Sequence, residues 1–184
     1  IKLLPQDAFT ILFYRSLYAG LIFILIFGKK LFIFNKLSLI SSMFYAPLLI
    51  AFVTSTKLTT AANAIFLQYT APAFVLLLEP YFVRTKLKRI NMFTVIVCFI
   101  GMALFFVDQL STPDNWLGIW LALLSGLILT GLLITQKMNK AEYQPGAVFL
   151  GNILVCLVTL PWFFDAPLPT MTENSYLMIL GFGQ

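Results

Sequence analysis

Six long apolar runs, separated by short polar segments, divide the chain. A helix needs about 20 apolar residues to cross about 30 Å of hydrocarbon, and these runs have or approach that length. Flanking Ser, Thr and Asn residues lengthen the two shortest runs, the second and the fourth. The runs are about twice as long as a membrane β-strand and do not alternate, so they predict membrane-spanning helices. They are Ala8–Phe27, Leu39–Val53, Ala61–Val83, Met92–Val107, Trp116–Thr135 and Ala147–Phe164.

The composition requires lipid as the solvent for most of this surface. Of 184 residues, 60% are hydrophobic and 10% are charged, and the mean hydropathy is +0.94, whereas soluble domains carry about 25% charged residues. A seventh run begins near Tyr176 and stops at the last residue, Gln184, and the first residue is Ile1. We therefore interpret the chain as an internal fragment of an all-α polytopic membrane protein.

The charges predict the orientation of the runs. Most Lys and Arg residues lie in the connections after runs one, three and five, and the positive-inside rule places these connections in the cytoplasm. Acidic residues lie mainly in the other connections, which supports the number of spans. The predicted location is the plasma or inner membrane. The basic connections hold Lys29, Lys30, Lys36, Arg84, Lys86, Lys88, Arg89, Lys137 and Lys140, and the opposite side holds Lys2, Lys57, Asp7, Asp108, Asp114, Asp165 and Glu173.

Several functions are disfavoured by the distribution of charge and by the residues and motifs that the sequence lacks. The net charge is +5, but the basic residues are spread over short connections with no long basic face, so no nucleic-acid partner is expected. The chain has no His, and Cys98 and Cys156 lie in apolar runs without the spacing of metal ligands. No phosphate-binding loop is present. We therefore expect no metal, no cofactor and no enzymatic activity.

The segment from Thr59 to Phe74 carries the most informative pattern. It combines small residues with Asn63, Gln68 and Tyr69, and Pro72 follows one turn after Gln68. Amides are costly in lipid, so they must face protein or a wet cavity, and Pro72 leaves one backbone carbonyl without its helical donor. Two interpretations stay open: the amides bond neighbouring helices, or they line a substrate pocket.

This segment resembles the motif at the third-to-fourth-helix junction of EamA-type transporters in the drug/metabolite transporter superfamily. The resemblance continues through Ile100–Leu104 and Gly118–Gly126. It implies a ten-helix bundle built from two inverted five-helix repeats. Residues 1–110 would then form the first repeat without its first helix (helices two to five), and residues 111–184 would begin the second repeat (helices six, seven and part of eight). The implied function is transport of small metabolites, with exporters of amino acids as the usual members.

Three further candidates for a substrate site come from other runs. Arg15 lies within run one, where a charge must be solvated or paired; the alternative is a side chain that reaches the headgroups. Asn152 lies early in run six, the repeat counterpart of run one. Tyr45 is an aromatic candidate, although aromatic residues near run ends often anchor the interface. Glu79 is interpreted as a partner of Arg84 or Lys86 rather than as a proton-coupling acid, and Gly126 and Gly131 as packing residues.

Together these observations predict a secondary transporter of a small polar metabolite, such as an amino acid, that works by alternating access. The predicted substrate-binding residues are Gln68, Tyr69, Asn63, Arg15, Tyr45 and Asn152. Of the two amides of run three, Gln68 is predicted to line the cavity and Asn63 to bond to a neighbouring helix. The expected partners are the small-molecule substrate and the lipid bilayer, and a homo-oligomer is compatible with the sequence. The alternatives are a non-transporting membrane scaffold and an intramembrane enzyme.

Overall fold

The computed structural model describes residues 6–83, 89–106, 115–165 and 169–182, and within these ranges the regular structure is entirely helical. Five of the helical segments are long and apolar enough to cross a membrane, which confirms an all-α polytopic membrane protein. Lys2, Arg84, Lys86, Lys88, Asp108 and Asp114 lie outside the described residues. The α-helices are α1 (Ala8–Phe27), α2 (Lys36–Leu58), α3 (Ala61–Gln68), α4 (Ala71–Val83), α5 (Arg89–Phe106), α6 (Trp116–Met138), α7 (Gln144–Asp165) and α8 (Met171–Phe182), and 3-10 turns occupy Gly28–Phe32 and Ala141–Tyr143.

The helix bounds agree with the apolar runs, with differences mainly at polar ends. α1 has the bounds of the first run, whereas α2 extends the second run to 23 residues by including Ser, Thr and Lys at its ends. The backbone N–H and C=O groups of these residues keep their helical hydrogen bonds, because lipid offers them no other partner. α8 begins at Met171, five residues before the expected start, because Thr170 and Glu173 cap it reciprocally, at 2.8 and 3.4 Å.

The third span is broken into α3 and α4 at Tyr69 and Thr70. Pro72 lies in the first turn of α4 and cannot donate to the carbonyl of Gln68, as a continuous helix would require. Thr70 ends the break: its hydroxyl donates to the carbonyl of Leu67 at 2.7 Å, and its own carbonyl accepts from Ala73 at 3.0 Å. The break therefore lies two to three residues before Pro72, beside the carbonyl that the proline leaves without a helical donor.

α2 is the central helix of the bundle. It packs most extensively on α6 and α7, while α1 packs on α7 and α8, and α3 and α4 pack on α6. α2 and α6 are antiparallel, since the end of α2 meets Gly118 at the start of α6, and Asn35 before α2 bonds to Asn139 after α6. The core between α1, α2, α6 and α7 is aliphatic with one tyrosine. It includes Leu12, Tyr45, Leu48, Leu49, Val53, Leu132 and Val155.

The directions of the helices separate the charges between the two ends of the bundle. The end of α1, the start of α2, the end of α6 and the start of α7 meet at one end, which we call the basic end because it carries Lys29, Lys30, Lys36, Lys137 and Lys140. At the opposite end, Asp7 interacts electrostatically with Lys57, and Gln6 bonds to Glu173. The described residues thus show the alternation of connections on which the predicted orientation depends.

Candidate functional site

Three of the predicted site residues meet between α1, α2 and α7. The side-chain amide of Asn152 donates to the hydroxyl of Tyr45 at 3.4 Å and to the carbonyl of Val148 at 3.1 Å. The guanidinium of Arg15 interacts electrostatically with Tyr45. We call Arg15, Tyr45 and Asn152 the polar cluster. It combines one cation, one hydroxyl and one amide inside the helix bundle, where Tyr45 is 8% exposed and Asn152 is 1% exposed.

Two glycines allow α2 to approach its neighbours closely enough to form this cluster. A Cβ atom added at Gly151 of α7 would lie 2.4 Å from Cδ1 of Tyr45, and one added at Gly131 of α6 would lie 2.7 Å from Cε1 of Phe44. The adjacent aromatic residues Phe44 and Tyr45 therefore pack against different helices, each in a space left by a glycine. Gly131 serves packing, as the sequence suggested, whereas the role of Gly151 was not recognised from the sequence.

An open groove runs along the contact between α1 and α7, beside the polar cluster. Its volume is about 270 Å³, and it extends from Phe13 to Ile24 on α1 and from Phe149 to Leu160 on α7. Asn152 lines it on one side and Ser16 on the other. The hydroxyl oxygen of Ser16 is buried and has no hydrogen-bond partner among the described residues. The remaining lining is almost entirely apolar, and it includes Cys156, whose thiol lies 3.7 Å from the carbonyl of Phe13.

The other three predicted site residues lie on α3 and at the break that follows it. Asn63 is 3% exposed, and its amide donates to the hydroxyl of Thr59, at the end of α2, at 3.3 Å. Gln68 is half-buried and Tyr69 is 53% exposed. Because α3 packs on α6, α2 and α5, these residues belong to a different helix contact from the polar cluster. The role of each of the six residues in substrate binding stays a prediction.

Gly126 of α6 faces the break between α3 and α4. A Cβ atom added there would lie 3.1 Å from the carbonyl oxygen of Gln68 and 3.3 Å from that of Leu67. Thr130, one turn further along α6, donates to the carbonyl of Ala71 at 3.3 Å. The broken backbone thus contacts the α6 helix through a glycine and a hydroxyl, the packing role that the sequence suggested for Gly126.

Glu79 of α4 forms an ion pair with Lys137 of α6, at 2.5 Å. The sequence suggested Arg84 or Lys86 as its partner, and both lie outside the described residues. The pair joins two helices at the basic end, at the periphery of the bundle, where the Lys137 side chain is 55% exposed. Within the described ranges, no three His, Cys, Asp or Glu residues are grouped closely enough to hold a metal ion.

Comparison with known proteins identifies the family. The EamA-like transporter family matches residues 2–107. An uncharacterized transporter of Bacillus subtilis, YxxF, is 30% identical over 130 residues, which are 68% of this chain and 41% of that relative. The chain thus matches less than half the length of this curated relative. No solved structure matches the chain. The match to the family covers more than half of the chain, and five of its helical segments have the length and apolar character of membrane spans, so the chain belongs to the EamA-like transporter family and is a multi-pass integral membrane protein.

Proposed function

We propose that the protein transports a small polar metabolite, such as an amino acid, and that the polar cluster contacts this substrate. The observation that carries the proposal is the meeting of Arg15, Tyr45 and Asn152 between three helices. A guanidinium favours a carboxylate in a medium of low dielectric constant. The Tyr45 hydroxyl and the Asn152 amide each contain a donor and an acceptor group, so the cluster has the chemistry to hold an amino acid by its polar groups.

The two proposed repeats each contribute a helix to this cluster. If residues 1–110 and 111–184 belong to two inverted repeats, α1 and α7 are counterparts. Arg15 is the eighth residue of α1 and Asn152 is the ninth residue of α7. Polar groups at similar depths on two antiparallel counterpart helices are typical of a substrate site at a repeat interface. Rocking of one repeat against the other would then move α1 relative to α7 and change access to the cluster, as alternating access requires.

The broken third span supports the same proposal. Transporters commonly interrupt a spanning helix where backbone groups line a cavity, and Tyr69 and Thr70 interrupt the third span here. The predicted cavity role of Gln68 belongs to this part of the proposal. In the structure, the groove beside the polar cluster is lined by α1 and α7, so Gln68 does not line this groove and its cavity role stays a prediction.

The test is a screen of radiolabelled metabolites for uptake and efflux by the full-length protein in proteoliposomes. For a transported metabolite, Asn152→Ala should raise KM by about 3- to 30-fold, which corresponds to the loss of one membrane hydrogen bond of about 0.6–2 kcal/mol. Tyr45→Phe removes only the hydroxyl and should also raise KM. Asn91→Ala is the matched control, because Asn91 is exposed on α5.

Two results would contradict the proposal. Equal KM values for Asn152→Ala and Asn91→Ala would show that the polar cluster does not contact the substrate. A screen in which the reconstituted protein moves no amino acid or related metabolite in either direction would reject the proposed substrate class.

A further inference from the structure

The segment that joins α1 to α2 at the basic end carries both charge and exposed apolar surface. Lys29, Lys30 and Lys36 are exposed, and three of the residues between Lys30 and Lys36, namely Phe32, Ile33 and Phe34, are 66%, 48% and 39% exposed. Leu31 is fully buried and holds the segment to the bundle. Lysines next to exposed apolar side chains are typical of a surface that lies at the boundary between headgroups and acyl chains.

This segment is held in place by several contacts. Gly28 has a φ of 51°, a backbone conformation that favours glycine, and it turns the chain out of α1. The carbonyl oxygens of Leu31 and Ile33 lie so close to Gly146 of α7 that an added Cβ would be 3.0 and 3.1 Å away. The ring of Phe32 packs edge-on against Phe149. The lysines are therefore displayed on a fixed backbone.

A second segment adds to the same surface. Asn35 donates to the side-chain carbonyl of Asn139 at 2.7 Å, so the next residue in each segment, Lys36 and Lys140, lies beside this bond. Lys140 is exposed. Among the described residues, the other charged groups at this end are Lys137, which is paired with Glu79, the exposed Arg89 and the exposed Glu142. The four remaining lysines, Lys29, Lys30, Lys36 and Lys140, outweigh one carboxylate, so the surface is positive.

We propose that residues 28–36 and Lys140 bind the phosphate headgroups of anionic phospholipids. The lysine ammonium groups pair with headgroup phosphates, and Phe32, Ile33 and Phe34 enter the adjacent acyl boundary. Clusters of lysines next to spanning helices are attracted to anionic leaflets by about 1 kcal/mol per residue, or about fivefold in affinity. The proposal concerns the surroundings of the protein and does not depend on which substrate is transported.

The first test uses the unaltered full-length protein in nanodiscs of phosphatidylcholine, with and without 30% phosphatidylglycerol. Acetylation of lysines by a water-soluble reagent is followed residue by residue with mass spectrometry. The anionic lipid should slow the modification of Lys29, Lys30, Lys36 and Lys140, and should leave Lys57, at the opposite end, unchanged. Equal rates in both nanodiscs, or equal slowing at Lys57, would overturn the proposal.

A free anion is distinguished from a lipid in the same assay. Inorganic phosphate, added to the phosphatidylcholine nanodiscs at constant ionic strength, should not reproduce the protection. If it protects these lysines as well as the anionic lipid does, the surface binds a soluble phosphate and the lipid proposal is wrong.

The second test measures the ratio of phosphatidylglycerol to phosphatidylcholine that remains bound to the purified protein. In a K29Q/K30Q/K36Q variant this ratio should fall by roughly fivefold for each lysine replaced. A K29R/K30R/K36R variant retains the charges and is the matched control, with K57Q as a control for the opposite end. An unchanged ratio in the glutamine variant would contradict the proposal. An equal fall of the ratio in the arginine variant would show that the positive charge of the lysines is not what binds the lipid.

Discussion

The ring of Tyr45 occupies the space that a side chain at Gly151 would need. A Cβ atom at Gly151 would lie within 2.8 Å of Cδ1, Cγ and Cβ of Tyr45, and the next residue, Asn152, donates to the Tyr45 hydroxyl. Two consecutive residues of α7 therefore hold opposite ends of one side chain of α2. This arrangement gives the hydroxyl a defined position in the polar cluster.

Gly151→Ala should lower the free energy of unfolding by about 1–3 kcal/mol, the usual cost of adding a methyl group to a packed interior. The base of the Tyr45 ring cannot move without shifting α2 or α7, since the nearest atoms belong to its Cβ, Cγ and Cδ1. The measurement is unfolding in detergent or nanodiscs. Gly101→Ala is the control, because no atom of the described residues lies within 4 Å of its added Cβ. Equal stability of the two variants would show that α2 and α7 are not packed as described.

Gly126→Ala should disturb the break between α3 and α4. The added methyl group would meet two backbone carbonyl oxygens, of Gln68 and Leu67, which cannot rotate away as a side chain can. We expect a loss of about 1–3 kcal/mol in stability, together with faster hydrogen exchange at the amides around Thr70. Gly20→Ala, whose Cβ would make an ordinary contact of 3.9 Å with Phe149, should change neither quantity. Unchanged exchange at the break in Gly126→Ala would contradict the contact with α6.

The two amides of α3 should differ in their effects. Asn63 is buried and bonded to Thr59, so Asn63→Ala should reduce stability by about 0.6–2 kcal/mol and alter substrate affinity little. Gln68→Ala should keep its stability and lose substrate affinity by a similar free energy, if the predicted cavity role is right. Unfolding and transport are measured on both variants. Unchanged substrate affinity in Gln68→Ala would show that Gln68 is not part of the substrate site.

The basic end should face the cytoplasm. Cysteine replacements at Lys30 and Lys140 should react with a membrane-impermeant maleimide only after cells are opened, whereas a replacement at Glu173 should react in intact cells. The background is a variant with Cys98 and Cys156 changed to Ala. Lys30 and Lys140 share one end of the bundle in the structure, so labelling of these two from opposite sides would contradict the fold, and labelling of both from outside would reverse the orientation.

Much of the helix content could be predicted from the sequence because lipid imposes long apolar helices. The first run and α1 coincide, and the helical hydrogen bond that Pro72 cannot make falls at the break of the third span. The contacts between helices could not be predicted, because apolar residues face both lipid and protein and the runs have no distinct polar face. The small residue Gly151 beside Asn152 was the available signal for the Tyr45 contact, but a glycine in a membrane helix has many packing roles.

The hydrogen bond between Asn35 and Asn139 should couple the start of α2 to the end of α6. Asn35 also accepts from the backbone of Ser38 at 2.7 Å and so caps α2, and replacement with Ser keeps this cap while it removes the donor to Asn139. In a double-mutant cycle, Asn35→Ser and Asn139→Ala should show a coupling of about 0.5–1.5 kcal/mol in the free energy of unfolding. Asn174, which accepts from Tyr18 at the other end of the bundle, provides the control pair: Asn35→Ser and Asn174→Ala should be additive within about 0.5 kcal/mol. Additivity of the Asn35 and Asn139 variants would mean that this bond does not hold the basic ends of the two helices together.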